Sequence, residues 1–387
     1  MKKVNKPVKA YKGFNKHMQC TPNGKIFQYE IGKEYKEDEA DLCHCGFHAC
    51  ENPLDVLSYY NNIDDKFCEV ELDKIDPNRN KDSKICGKKI KVGIEIGFLG
   101  LFKAGIEWIK NKTIFTEEDF RKLPSSYNAK ISSSDYNARI GSSSDFAKIG
   151  SSGKHAQIGS SGDGTKIGSS GNYAQIGSSG DYVQIGSSGD DAQIGSSGDS
   201  AKIGSSGYNA KIGSSSDCAK IGSSGDDVQI GSSGYNVQIG SSGNYAQIGS
   251  SGNYARIGSS GNYAQIGSSG NYAQISSSGD GAKIGSFGND AKIGSSGDGA
   301  KIGSSGNDAK ISSSGNDCVI MCAGINSSAK AKIGSWITLA EWKYSEEKQK
   351  YILFSVVTKQ VDGIEIKEDV YYTLQDGKFK ESEQQKN

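Results

Sequence analysis

From Ile131 to Ile320 isoleucine returns every nine residues without an insertion or deletion, so that 22 isoleucines bound 21 units. No other feature of the chain constrains its fold as tightly, because a nonapeptide cannot enclose a core alone and must stack on its neighbours. A typical unit reads Ile176-Gly-Ser-Ser-Gly-Asp-Tyr-Val-Gln184, and the next opens at Ile185. Two residues before each isoleucine stands a small residue, usually alanine as at Ala129, Ala156 and Ala264, with Thr165, Val183, Val228, Val237 and Cys318 as substitutes. Two residues after it stands serine in all 21 units, from Ser133 to Ser313. Residues two apart share one face of an extended chain. The small residue, isoleucine and serine therefore point inward, while Lys or Gln just before isoleucine and Gly just after it point outward.

Glycine four residues after isoleucine gives way only to Asp135, Ser144 and Ser216, and Asn, Asp or Tyr usually follows it. Glycine takes positive φ readily and Asx side chains bond nearby backbone, so the chain is expected to turn at this glycine. Each unit is then a strand plus a corner, and two units make one coil. The expected fold is mainly β: a parallel β-solenoid of about 18 residues per coil, stacked at roughly 4.8 Å per coil into about eleven coils. Glycine at 52 residues against five prolines would suit a flexible linker, but a linker needs no register with isoleucine and alanine. The domains expected are an α+β N-terminal module over 1–124, the solenoid over 125–335 and a small β-rich C-terminal cap over 336–387.

A two-unit coil sends alternate units to opposite faces. One face gathers Lys130, Lys148, Lys166, Lys202, Lys220, Arg256, Lys292 and Lys310, with Gln184, Gln238 and Gln274 completing eleven positions; the other has only Arg139, Lys211, Lys283 and Lys301. The eight-cation ladder is the candidate binding surface, able to engage a protein or a polymer through repeated weak contacts. The 45 basic and 45 acidic residues cancel, and Asp190, Asp191, Asp226 and Asp227 interrupt the surface, so nucleic acid is not the expected partner. Calcium-binding nonapeptide rolls use Gly-Gly and a fixed acidic position. Here Gly-Gly is missing and that position takes Asn172, Asn244, Tyr208 or Tyr235, so no metal or other cofactor is expected.

In the N-terminal module strands are expected near 25–31, 66–72 and 85–96, with a helix starting at Asn52-Pro53, a second after Gly100 and a third at Thr116. Cys43, Cys45, His48 and Cys50 could supply four zinc ligands, but no second half follows at the customary spacing. Small buried thiols of a reduced protein are the preferred reading. Nine cysteines, no apolar run after Lys2 and Lys3, and no 18-residue apolar stretch lead to the expectation of a cytoplasmic protein outside the membrane.

The string Gly46-Phe-His-Ala-Cys-Glu-Asn-Pro-Leu-Asp55, preceded by Tyr11-Lys-Gly-Phe14 and Tyr29-Glu-Ile-Gly-Lys33, resembles an uncharacterised N-terminal module of phage-type and bacterial repeat proteins. The tail from Ile366 to Phe379 resembles the ending of the same proteins. This likeness implies association with repeat tracts and phage-related genes. The order Tyr11-x-Gly13, Tyr29-x-x-Gly32, Gly46-Phe47, then a helix and a strand bearing Glu69 and Glu71, is also similar to ADP-ribosyltransferase cores. That likeness implies NAD in the module and a late glutamate against its ribose, although the Ser-Thr-Ser run and an early arginine are missing.

After Ile320 the next isoleucine of this kind, Ile333, comes thirteen residues later. Residues 331–335 are expected to form a last strand, with Trp336, Leu339 and Trp342 covering the open end. Strands are expected at 351–359 and 364–374, with a tight turn at Asp376-Gly377. Such a cap could also dock a partner or drive oligomerisation. The function expected is that of a non-enzymatic structural or binding repeat protein; the alternative is a transferase carried on a rod.

Overall fold

The computed structural model describes residues 7–21, 26–42, 44–62, 64–78, 83–113 and 127–382. The chain divides into two compact units, Met1–Ile114 and Phe115–Asn387. The first unit is built on β1 (Val8–Phe14), β4 (Glu34–Lys36), β5 (Phe47–Cys50), β6 (Lys66–Ile75) and β7 (Lys84–Glu95), with a small separate hairpin of β2 (Gln19–Cys20) and β3 (Phe27–Gln28). All five pair antiparallel in the order β4-β7-β5-β1-β6, and β6 pairs back onto β7, closing a small barrel. The strand expected over 25–31 is cut to Phe27–Gln28, because Ile31 and Gly32 turn, with Gly32 at φ +83°.

Asn52 caps a six-residue 3-10 helix, Pro53–Ser58, through its Oδ1, which accepts from Leu54 N at 3.1 Å. Helix α1 (Gly97–Thr113), expected only after Gly100, already starts at Gly97 and buries Leu101, Phe102, Ile106 and Ile109. Its contacts with Leu54, Leu57 and Phe67 join the 3-10 helix and β6 in one apolar cluster. The helix expected at Thr116 lies outside the described residues.

The second unit is a parallel β-solenoid of about twelve turns. Strands β8 (Lys130–Ser133) to β28 (Lys310–Ser313) recur every nine residues, and each pairs in parallel with the strand two further on, as Ile149 with Ile167 and Ile158 with Ile176. Even-numbered strands form one sheet and odd-numbered strands, from β9 (Arg139–Ser142), the other. Beyond the first coil, where Ile131, Ser133 and Ala138 are half-buried, the small residue, Ile and Ser of each unit are buried between them, with Ile158, Ile176 and Ile194 fully enclosed. Each such isoleucine is worth roughly 1.5 to 3 kcal/mol of burial, which is why so short a strand holds. Stability in a stack is a sum over neighbouring coils. Deleting residues 221–238, which joins Lys220 to Ile239 in register, is therefore expected to leave cooperative thermal unfolding with a midpoint within a few degrees of the full chain, whereas loss of the β signal in circular dichroism would rule out the 18-residue coil.

The corners correct the sequence reading. Positive φ belongs not to the glycine but to the sixth residue after isoleucine, as at Asn137 (57°), Tyr182 (55°), Asp191 (55°) and Tyr254 (59°). The glycine is needed because coils touch there: a Cβ on Gly243 would lie 1.8 Å from the carbonyl oxygen of Gly225, one coil earlier. Asp135 and Ser144 escape this demand because β8 and β9 are the edge strands of their sheets. Ser216 is the interior exception, and the corner there loses the bend seen at its neighbours. The Asx residue after the glycine bridges coils, its Oδ1 accepting the backbone N–H 18 residues on, as Asn253 does for Asn271 at 2.8 Å and Asp163 for Asp181 at 2.8 Å.

The C-terminal end departs from expectation in three ways. Residues 331–335 form a turn, not a strand, and Ile333 is 52% exposed, because Ala329 of β30 (Ser328–Lys330) already stands opposite Ile311 and fills the inner place. On the odd sheet β29 (Val319–Cys322) pairs with β31 (Trp336–Ser345), Ile320 opposite Ile337, so the last repeat there is 17 residues. Of the three residues expected to cover the end, only Leu339 is buried; Trp336 is exposed and Trp342 is half-buried, donating from Nε1 to Ala323 O at 2.8 Å. Val361, Ile366, Tyr372 and Leu374 close the core instead. The strand expected over 364–374 begins only at Tyr372, since Asp362 Oδ1 accepts the N–H groups of Ile364, Glu365 and Ile366, each at 2.9 Å, and winds that stretch into a loop. The tight turn at Asp376-Gly377 is present, joining β33 (Tyr372–Gln375) to β34 (Lys378–Glu381).

Glu341 fastens that hairpin. Its Oε1 accepts from Asp376 N at 3.0 Å and its Oε2 from Gly377 N at 2.8 Å. Burial works to raise this carboxyl, but the two N–H groups and Lys343 hold it below its ordinary value. A depressed carboxyl contributes stability that is present at neutral pH and lost as pH falls through the folded value. Glu341→Gln is expected to quicken amide exchange at Gly377 roughly tenfold or more at pH 7 and to flatten the acid dependence of that exchange; unchanged exchange would show that the hairpin is held by its apolar contacts alone.

Candidate functional site: a bare floor beside a cation row

The solenoid brings Lys130, Lys148, Lys166, Lys202, Lys220, Arg256, Lys292 and Lys310 into one row of the even sheet, with Gln184, Gln238 and Gln274 in the gaps. All eight cations are exposed. None of them has an ion-pair partner among the described residues, although Lys310 Nζ stands 4.4 Å from the ring centre of Tyr371. Arg139, Lys211, Lys283 and Lys301 occupy the matching positions of the odd sheet.

Beside the cations runs a second row, one residue after each isoleucine, made of Gly150, Gly168, Gly186, Gly204, Gly222, Gly240, Gly258 and Gly294, with Ser132, Ser276 and Ser312 completing it. These glycines are unlike those of the corners. None has positive φ, and a Cβ on any of the first six would meet nothing within 4 Å. Neither conformation nor packing within the chain calls for glycine here, and glycine inside a strand is destabilising by roughly 0.5–1 kcal/mol relative to alanine. The outcome is a trough of about 1560 Å³ along the sheet from Lys130 to Tyr371, with cations on one flank and bare backbone as its floor. Strand-to-strand spacing sets the charge repeat at about 4.8 Å.

The N-terminal unit has a cleft of its own, about 670 Å³, between β1, β5, the 3-10 helix and the β2–β3 hairpin. Of the residues that carry the transferase likeness, Tyr11, Gly13, Tyr29, Gly46 and Phe47 line it, Gly32 does not, and Lys12 joins them in the lining. Glu69 does not: it pairs with Lys9 at 2.8 Å, and neither it nor Glu71 is part of the lining, where Glu37 is the carboxylate. Of the four candidate zinc ligands Cys43 lies outside the described residues, while Cys45, His48 and Cys50 line the same cleft. Among the described residues no group of three or more His, Cys, Asp or Glu is placed to hold a metal ion. Burial, with Lys84 and Lys12 adding positive charge, lowers the His48 imidazole to about 4, and burial pushes the Cys86 thiol up to about 12. At neutral pH both are uncharged.

Residues 8–104 match a family described as a domain of unknown function (DUF7666). The match takes in the barrel, the cleft and the first part of α1, and leaves the repeat tract outside it. No curated protein and no solved structure matches the chain. The cation row was readable in the sequence because it follows from counting by 18. The unforced glycine row was not, since both glycines of Ile-Gly-Ser-Ser-Gly look alike until the neighbouring coil is in place. Lys12 was missed as well, having no motif to mark it.

Proposed function

We propose that the protein is a non-enzymatic binding scaffold whose even sheet docks an extended, acidic partner along its length. The observation that carries this reading is the pairing of the two rows: eight exposed cations without carboxylate partners among the described residues, beside eight glycines that the fold does not require. A side chain on that floor would hold a partner several ångströms away from the sheet, whereas bare backbone lets it lie flat. Repeated weak contacts at one spacing then add along the rod.

The test is binding to a labelled poly-glutamate chain, followed by fluorescence anisotropy at low salt. Exposed ion pairs are worth about 0.2–1 kcal/mol each, so changing the eight cations to glutamine is expected to weaken binding by about a thousandfold. Added salt should weaken the unaltered protein in the same direction. Equal affinity of the two proteins would overturn the proposal.

A further inference from the structure

Lys12 presents a problem that the fold leaves open. Its side chain lies on β1 among Phe14, Tyr29 and the β5 strand, and only 8% of the residue is exposed. An ammonium has three protons to place. The described structure gives one of them a partner, the carbonyl oxygen of His48 at 2.8 Å, and sets Nζ 5.5 Å from the Tyr29 ring centre and 5.7 Å from that of Phe14. Among the described residues no carboxylate forms an ion pair with it. A buried cation is costly unless paired and hydrogen-bonded. Ring faces and one carbonyl compensate only in part.

The Lys12 side chain lines the 670 Å³ cleft, whose volume lies in the range of small-molecule sites. Six of the twenty lining residues are Phe or Tyr, with Phe27, Tyr29, Phe47 and Tyr60 among them. Tyr60 closes on β1 so tightly that a Cβ at Gly13 would lie 2.5 Å from its ring, and its hydroxyl donates to Cys20 Sγ at 2.9 Å. Both of these contacts fix a wall of the cleft. The second cation of the lining, Lys84, stands over Tyr59 with Nζ 4.6 Å from the ring centre. Glu37 accepts from the backbone N–H of Gly46 at 3.1 Å.

We propose that this cleft is a receptor site for a small aromatic anion, its negative group taken by Lys12 and its ring lying against Tyr29 and Phe27. The anion supplies the charge partner that Lys12 lacks among the described residues, and the flat body fills an aromatic slot without needing the ring's own polar groups. Glu69 and Glu71, the glutamates of the transferase likeness, lie outside the lining, so the proposal is one of binding alone. This inference is independent of the solenoid reading.

The full chain is titrated by calorimetry with phenyl phosphate, phenylacetate, benzyl alcohol, benzylamine and inorganic phosphate. One aromatic anion is expected to bind with a stoichiometry of one, at least tenfold more tightly than benzyl alcohol, benzylamine or inorganic phosphate; which of the two anions does so separates a phosphate from a carboxylate ligand. Lys12→Met should cost tenfold or more in affinity, and Lys12→Arg should retain binding. Should Lys12→Met fail to fold, the unaltered chain with labelled histidine rings decides: phenyl phosphate or phenylacetate should shift the His48 signals and leave those of His17 and His155 in place, and benzyl alcohol should shift none. No binding of either anion, equal binding of the neutral alcohol, or an unaffected His48 would each overturn the proposal.

Discussion

Alanine at Gly243 is expected to destabilise the solenoid by roughly 1–3 kcal/mol, whereas alanine at Gly240, three residues earlier in the same unit, leaves stability unchanged or raises it by about 0.5–1 kcal/mol. At Gly243 the new methyl would sit 1.8 Å from a backbone oxygen, and backbone inside a stack of coils has little freedom to retreat. At Gly240 it would enter open space and remove conformational entropy from the unfolded chain. Urea denaturation midpoints compare the two directly. Two shifts of the same sign and size would mean that coil contact does not dictate the corner glycine. The pair also bears on function, because valine at Gly222 and Gly240 should spare the fold yet push a docked partner off the floor.

The second large effect concerns charge placement at constant net charge. Lys292→Gln with Lys310→Gln removes two cations from the even sheet, and Lys283→Gln with Lys301→Gln removes two from matching positions of the odd sheet. At about 0.5–1 kcal/mol per contact the first pair should weaken poly-glutamate binding by roughly 5- to 30-fold. The second pair should change it less than twofold. Equal losses would show that the partner senses total charge alone, and the face would lose its meaning. Because both pairs lie on neighbouring coils, differences in stability along the rod do not confuse the comparison.

Period and polarity carried most of the solenoid. Ile-x-Ser alternation set the inner face, and counting by 18 alone puts the eight cations together. What stayed hidden depends on neighbours far apart in sequence. Tyr182 or Asp191 at positive φ looks like any corner residue, and the need for Gly243 exists only because Gly225 lies one coil below. Ile333 misled for a related reason: isoleucine stood for phase, yet the inner place belonged to Ala329, which keeps the 18-residue step. Lys12 was illegible because its burial is decided jointly by β1, β5 and Tyr29, just past the β2–β3 hairpin. Local strings reveal strands and caps; contacts closed between distant segments leave no pattern in any one of them.

The reversed strands at the C-terminal edge have a consequence for what the protein does in a crowd. In-register parallel strands with identical side chains stacked at about 4.8 Å share the geometry of amyloid, and an open end of such a stack is a template for further chains. Here β32 (Lys350–Gln360) runs antiparallel on β31, and β33 runs antiparallel on β30 and is itself covered by β34. A newcomer arriving at that end finds a reversed strand, β32, on one sheet and, on the other, β34 with Lys378 and Lys380 along it. The turn that Glu341 holds thus helps cover edges that a cut after Ser335 would leave open at β29 and β30, and the cut chain is expected to assemble end on end, which light scattering would reveal.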